Sequence, residues 1–105
     1  MKLLIILSIE EYNDEVRKIL NRQKVPVYSE TNIHGFHVEE EDVDLSSWFS
    51  GDKAGIYSKL FFSFQDENCV DRIFKEVKNF NEKMTPGEDV QNAIHAYMLD
   101  VPRSV

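Results

Sequence analysis

A chain of 105 residues, 42% apolar and 30% charged, has the makings of one soluble domain with a modest core. Its net charge of −7, with no local Lys/Arg cluster to offset it, excludes a nucleic-acid groove or an anionic membrane surface, since both reward positive charge. The longest apolar run, Leu3 to Leu7, is too short to span or insert into a bilayer. It is also followed by Glu10-Glu11 rather than a small-residue cleavage site, so it does not read as a secretory signal.

Taken in chain order, Lys2 to Ile9 is a dense aliphatic run and predicts a strand. Tyr12, Val16, Ile19 and Leu20 then recur at helical spacing, with Asp14 and Glu15 early and Arg17, Lys18 and Arg22 late. That charge order suits the helix dipole. Lys24-Val25-Pro26 ends the helix. Val27 to Phe36 alternates loosely and predicts a second strand, and Ile56 to Phe64 a third. Asp66 or Asn68 can cap a second helix. Its apolar face is expected to carry Val70, Ile73, Phe74, Val77 and Met84, and Thr85-Pro86-Gly87 stops it. Cys69 at its start reads as packing; as the single cysteine it can form no internal disulfide, which suits a reducing cytoplasm. Ile94 to Val101 predicts the last strand, closed by Pro102.

The order βαββαβ predicts an α+β, ferredoxin-like sandwich over residues 1–105, with both helices on one face of a four-stranded antiparallel sheet. Leu3 to Leu7, Leu60-Phe61-Phe62 and Tyr97-Met98-Leu99 do not alternate apolar with polar. A sheet with one wet face would alternate. The second face therefore needs a cover, and other copies of the chain are the simplest one.

Between the second and third strands lies a long loop, Val38 to Ala54. It runs from the acids Glu39, Glu40 and Glu41 to the aromatic pair Trp48-Phe49. Connections of this length are usually functional or disordered. The acids also read as a solvated face, and the aromatics as a small inward cluster. The functional reading makes Glu39, Glu40, Glu41, Trp48 and Phe49 a partner-binding surface.

Several stretches, in this order, resemble the PII-like (nitrogen regulatory protein P-II-like) signalling superfamily. They are Met1-Lys2-Leu3-Leu4-Ile5-Ile6, Asp14-Glu15-Val16-Arg17, Glu30-Thr31-Asn32-Ile33-His34-Gly35-Phe36, Val70-Asp71-Arg72-Ile73 and Asp100-Val101-Pro102-Arg103. The resemblance covers nearly the whole chain and marks it as a divergent member. It implies a small cytoplasmic, bacterial regulator that is a homotrimer. In it, a ligand bound between subunits sets the shape of the long loop, which docks on a target protein such as a membrane transporter or an enzyme. By the same resemblance Gly35, His37 and His95 border the ligand, His37 standing at a loop-base glycine and His95 at a phosphate-contacting lysine.

The chain departs from that pattern where nucleotide is held. Thr85 to Asn92 replaces a Gly-rich phosphate loop with one glycine and two acids. Phosphate cradles need glycine for close backbone approach, and acids repel the anion. The chain ends at Val105 without the phosphate-binding arginines, and the loop lacks the Arg-Gln pair and the modifiable tyrosine. Standard ATP or ADP binding is not expected. An imidazole–carboxylate set suits a divalent transition metal instead, with His34, His37, Glu39 and His95 as candidate ligands. That gives an alternative reading, a metal-binding protein of the same fold linked to metal efflux or tolerance. The same histidines also read as plain polar residues at strand ends. No nucleophile-elbow, Cys–His, Walker or Rossmann pattern is present, so the chain reads as non-enzymatic.

Overall fold

The computed structural model describes residues 1–36, 57–84 and 93–105. Strand β1 (Lys2–Ser8) leads through a 3₁₀ turn (Glu10–Tyr12) into helix α1 (Asn13–Arg22), then β2 (Ser29–Asn32), β3 (Lys59–Gln65), helix α2 (Glu67–Met84) and β4 (Ile94–Asp100). The sheet order is β2-β3-β1-β4, with every neighbouring pair antiparallel. This is the expected βαββαβ arrangement, in which β3 separates β1 from β2 and β1 separates β3 from β4.

Alternation along β1 divides the molecule into two layers. Leu4, Ile6 and Ser8 are buried, whereas Leu3, Ile5 and Leu7 are only half-buried. Leu4, Ile6 and Phe61 pack against Val16, Ile19 and Leu20 of α1 and against Cys69, Val70, Ile73 and Val77 of α2. Both helices therefore cover the same sheet face. Tyr12 meets Phe80 edge-on at 5.2 Å, and Arg22 of α1 bonds Glu76 of α2 at 2.7 Å. Cys69 is part of this core, so it acts as a small apolar side chain.

The helix ends differ in detail from the expectation. α1 stops before Pro26 takes effect. Lys24 adopts a left-handed conformation (φ 59°), its N–H bonds Asn21 O, and the Val25 N–H bonds Leu20 O at 3.0 Å. That pair of bonds is the Schellman termination, made here with lysine at the position that usually holds glycine. Val25 then packs onto the core. At the start of α2 the cap is Asp66, whose carboxylate accepts the Cys69 N–H at 2.8 Å. Asn68 lies inside the helix. Met84, expected on the buried face, is 42% exposed in the last described turn of α2.

The second strand is shorter than Val27–Phe36. Among the described residues its ladder pairs run from Ser29 to Asn32, opposite Lys59–Phe62. Ahead of the ladder, the carbonyl of Val27 accepts the Ser63 hydroxyl at 2.7 Å. Residue 56 and the Thr85-Pro86-Gly87 stop lie outside the described residues, and Tyr57 and Ser58 precede β3. The last strand closes at Asp100, one residue early, although the Val101 N–H still bonds Met1 O at 3.3 Å.

One charged cluster ties α1 to the sheet edge. Arg17 donates to both carboxylate oxygens of Glu30, at 2.9 and 2.7 Å, and Lys59 reaches the same carboxylate at 3.3 Å. The guanidinium also stands 5.9 Å above the Phe61 ring centroid. These donors, chiefly Arg17, hold the Glu30 carboxyl at about 2, below its ordinary 4.5. A carboxylate depressed in this way stabilises the fold fully above its unfolded pKa and loses that effect as pH falls through the folded value. For a partly exposed pair the effect is about 1 kcal/mol or less. The urea midpoint of Glu30→Gln should accordingly lie below that of the parent at neutral pH. The two midpoints should converge as pH falls from 4.5 towards 2; a gap that stays constant would show that the ion pair contributes nothing.

Candidate functional site

At the end of the sheet where β1 gives way to α1 lies a cavity of about 430 Å³, within the range of small-molecule sites. It draws on three places in the chain. Glu10 and Asn13 come from the 3₁₀ turn and the first residue of α1. Asn32, Ile33, His34 and Gly35 come from the exit of β2, and Tyr57, Ser58 and Lys59 from the entry of β3. A backbone bond from Ile33 N–H to Ser58 O, 2.9 Å long, joins the last two groups. A second, from Ser58 N–H to Ser8 O, ties them to β1. The described residues that flank positions 37–56, Ile33–Gly35 and Tyr57–Lys59, thus share one cavity wall.

Among the described residues, two buried polar atoms in that wall have no hydrogen-bond partner, Asn13 Oδ1 and Ser58 Oγ. Each such atom costs on the order of 1–3 kcal/mol, and native proteins keep few of them. Tyr57, fully buried beside them, forms the apolar part of the wall.

The other face of the sheet is a lattice of side chains fixed by register. Leu60, Leu7 and His95 form one row, Phe62, Ile5 and Tyr97 the next, and Phe64, Leu3 and Leu99 the third. Phe64 and Leu99 are 52% and 47% exposed, and the other members are half-buried. His95 stacks on Tyr97 with centroids 4.5 Å apart, and the Tyr97 Oη lies 3.2 Å from His95 Nδ1. Burial lowers the pKa of His95 and raises that of Tyr97. Asn81 of α2 sets the entry to this strand. Its amide donates to Ile94 O at 2.8 Å and accepts from Ile94 N–H at 3.3 Å.

Of the residues singled out in the sequence, Gly35 and His34 line the cavity. His95 lies elsewhere, on the open face of β4 beside Tyr97. His37, Glu39, Glu40, Glu41, Trp48 and Phe49 lie outside the described residues. Among the described residues no group of three or more His, Cys, Asp or Glu could hold a metal ion, and no helix is long and apolar enough to cross a membrane. Sequence reasoning missed Glu10, Asn13, Asn32, Ser58 and Lys59, which meet only through the fold. It also missed Asn81, whose role depends on where β4 begins.

This architecture, with a long connection between β2 and β3 and a cavity at its root, belongs to the ferredoxin-like α+β class. Its particular form is the PII-like fold. The apo form of CPII from Thiomonas intermedia K12, a nitrogen regulatory PII-like protein, matches at a TM-score of 0.61 and 17% identity, over 95% of this chain and 86% of that one. A structure of the same protein bound to ADP, AMP and bicarbonate matches at 0.63 and 16% identity, over 95% and 90% of the two chains. No family model and no curated protein sequence matches.

Replacing Asn81 with Ala should leave both backbone groups of Ile94 without their side-chain partner, a loss of about 1–3 kcal/mol. The expected result is faster hydrogen exchange of the Ile94 amide and a lower urea midpoint. Unchanged exchange at Ile94 would remove Asn81 from this role.

Proposed function

We propose that the protein is a non-catalytic, PII-like regulatory protein. In this reading a ligand at the root of the segment 38–54 controls how that segment meets a target protein, for which a membrane transporter or an enzyme is the expected class. The observation that carries the reading is the joint placement of Ile33–Gly35 and Tyr57–Lys59 in one cavity wall, bridged by the Ile33–Ser58 bond. A ligand seated there touches both anchors of the segment. It can therefore favour one arrangement of the segment by differential affinity, which is what a population switch requires. The acids Glu39, Glu40 and Glu41 and the aromatics Trp48 and Phe49 supply the docking chemistry, with charge for steering and large rings for contact.

The second element of the proposal is a homotrimer in the cytoplasm, closed through the apolar lattice on the outer sheet face. Nine side chains in three rows, most of them aliphatic or aromatic, make a patch that soluble monomers rarely leave uncovered. The likeness to CPII supports the same reading, since that protein is described as nitrogen regulatory and its structure holds ADP, AMP and bicarbonate.

Two measurements test this. Trp48 is the only tryptophan, so its emission reports on the segment directly. Titration with ADP, AMP, bicarbonate and free L-amino acids is expected to shift that emission for at least one of them; a flat response to all would overturn the switch. In sedimentation equilibrium the parent should run at about three times its 12.3 kDa chain mass. Phe62→Asp, which places a charge in the middle of the lattice, should run as a monomer that keeps its helical circular dichroism. A parent that is monomeric at micromolar concentration would remove the trimer.

A further inference from the structure

We infer that the cavity at the root of the segment binds a small zwitterion of amino-acid size, carrying one ammonium and one carboxylate. The inference rests on the reading above only in using the same cavity; the ligand class follows from the wall itself.

The wall carries both signs of charge. Glu10 lines it and makes no ion pair among the described residues. Asn13 Oδ1, an acceptor with no donor among the described residues, belongs to the same turn and helix start. A carboxylate and an orphaned amide oxygen together ask for a ligand rich in N–H donors, and an ammonium supplies three. From the strand side come Lys59, Asn32 and Ser58. Lys59 spends one contact on Glu30 at 3.3 Å, and an ammonium has three donors, so two remain for a ligand carboxylate. Ser58 Oγ, buried without a partner, can donate to the same group. Binding a zwitterion would satisfy both orphaned atoms and leave no net charge uncompensated in the cavity.

A phosphate-bearing ligand fits this wall less well. Gly35 is its only glycine among the described residues. The Tyr12 N–H is already bonded to Ile9 O and the Asn13 N–H to Glu10 O, so the start of α1 offers neither amide to an anion. Glu10 would repel one. A bare cation would meet Lys59, and a bare carboxylate would meet Glu10.

The full-length protein should be screened by thermal melting and calorimetry against each of the twenty L-amino acids at 10 mM, with ethylamine and propionate as the separated charges of alanine. At least one amino acid is expected to raise Tm by about 3 °C or more, and neither half-molecule should do so. Glu10→Gln should weaken binding of that amino acid at least about tenfold at unchanged basal Tm. Lys59→Met should weaken it as well, whereas Glu30→Gln, which removes the ion pair but keeps Lys59, should leave binding within about twofold, separating the ligand role from the contact with Glu30. No stabilisation by any amino acid, equal stabilisation by propionate alone, or full affinity in Glu10→Gln would each overturn the inference. If ADP or bicarbonate shifts Trp48 emission while no amino acid binds, the ligand class fails and the regulatory reading stands. If an amino acid binds through Glu10 and Trp48 does not respond to any ligand, the site stands and the regulatory reading fails.

Discussion

The structure turns on one constraint, the apolar character of β1 on both of its sides. Leu4 and Ile6 point into the helical layer, and Leu3, Ile5 and Leu7 into the opposite lattice. A strand of this kind cannot sit at an edge or under water without exposing apolar area, and each buried methylene stabilises by about 0.8 kcal/mol. It is therefore flanked by β3 on one side and β4 on the other. Two crossover helices close over the lower face. The upper face is left with an apolar surface that the described chain does not itself cover.

The polar groups are arranged around that apolar slab and fix its ends. Arg17, Glu30 and Lys59 join α1, β2 and β3 on the helical side, while Asn81 joins α2 to the first residue of β4. Ser58 links through its backbone to both Ser8 and Ile33. Ile33, Ser58 and Lys59 of these ties line the cavity, so its shape is set by backbone bonds as well as by side chains. Sites held by regular elements keep their geometry better than sites built on loops alone.

Much of this was legible in the chain. The periodicity of Val16, Ile19 and Leu20 and of Val70, Ile73 and Val77 marks the helices correctly because burial on one face is what stabilises them. The unbroken Leu3–Leu7 run pointed to the two-sided sheet for the same reason. Boundaries were harder. The end of α1 depends on a left-handed lysine, a conformation that no composition rule assigns to Lys24. The length of β2 is set by where it meets β3: pairing begins at Ser29, and the Val27 carbonyl meets the Ser63 hydroxyl. The candidate site was legible only in part. Gly35 and His34, singled out beside the long loop, line the cavity, and His95 was grouped with the loop-base residues by resemblance. Within the single chain, register places His95 in the open lattice, with Leu7 as its cross-strand partner. Glu10, Asn13 and Lys59 are ordinary polar residues far apart in sequence, and only the βαββαβ winding brings them together.

The bond between Ile33 and Ser58 has an evolutionary corollary. It joins the two described flanks of the 37–56 insert to each other, one residue beyond the β2–β3 ladder. Lengthening or shortening such an insert costs little, since each doubling adds only about 0.6 kcal/mol of closure entropy. The fold can thus accept one insert in place of another like a tool in a fixed socket, and new recognition could arise there without any change to the scaffold that carries it.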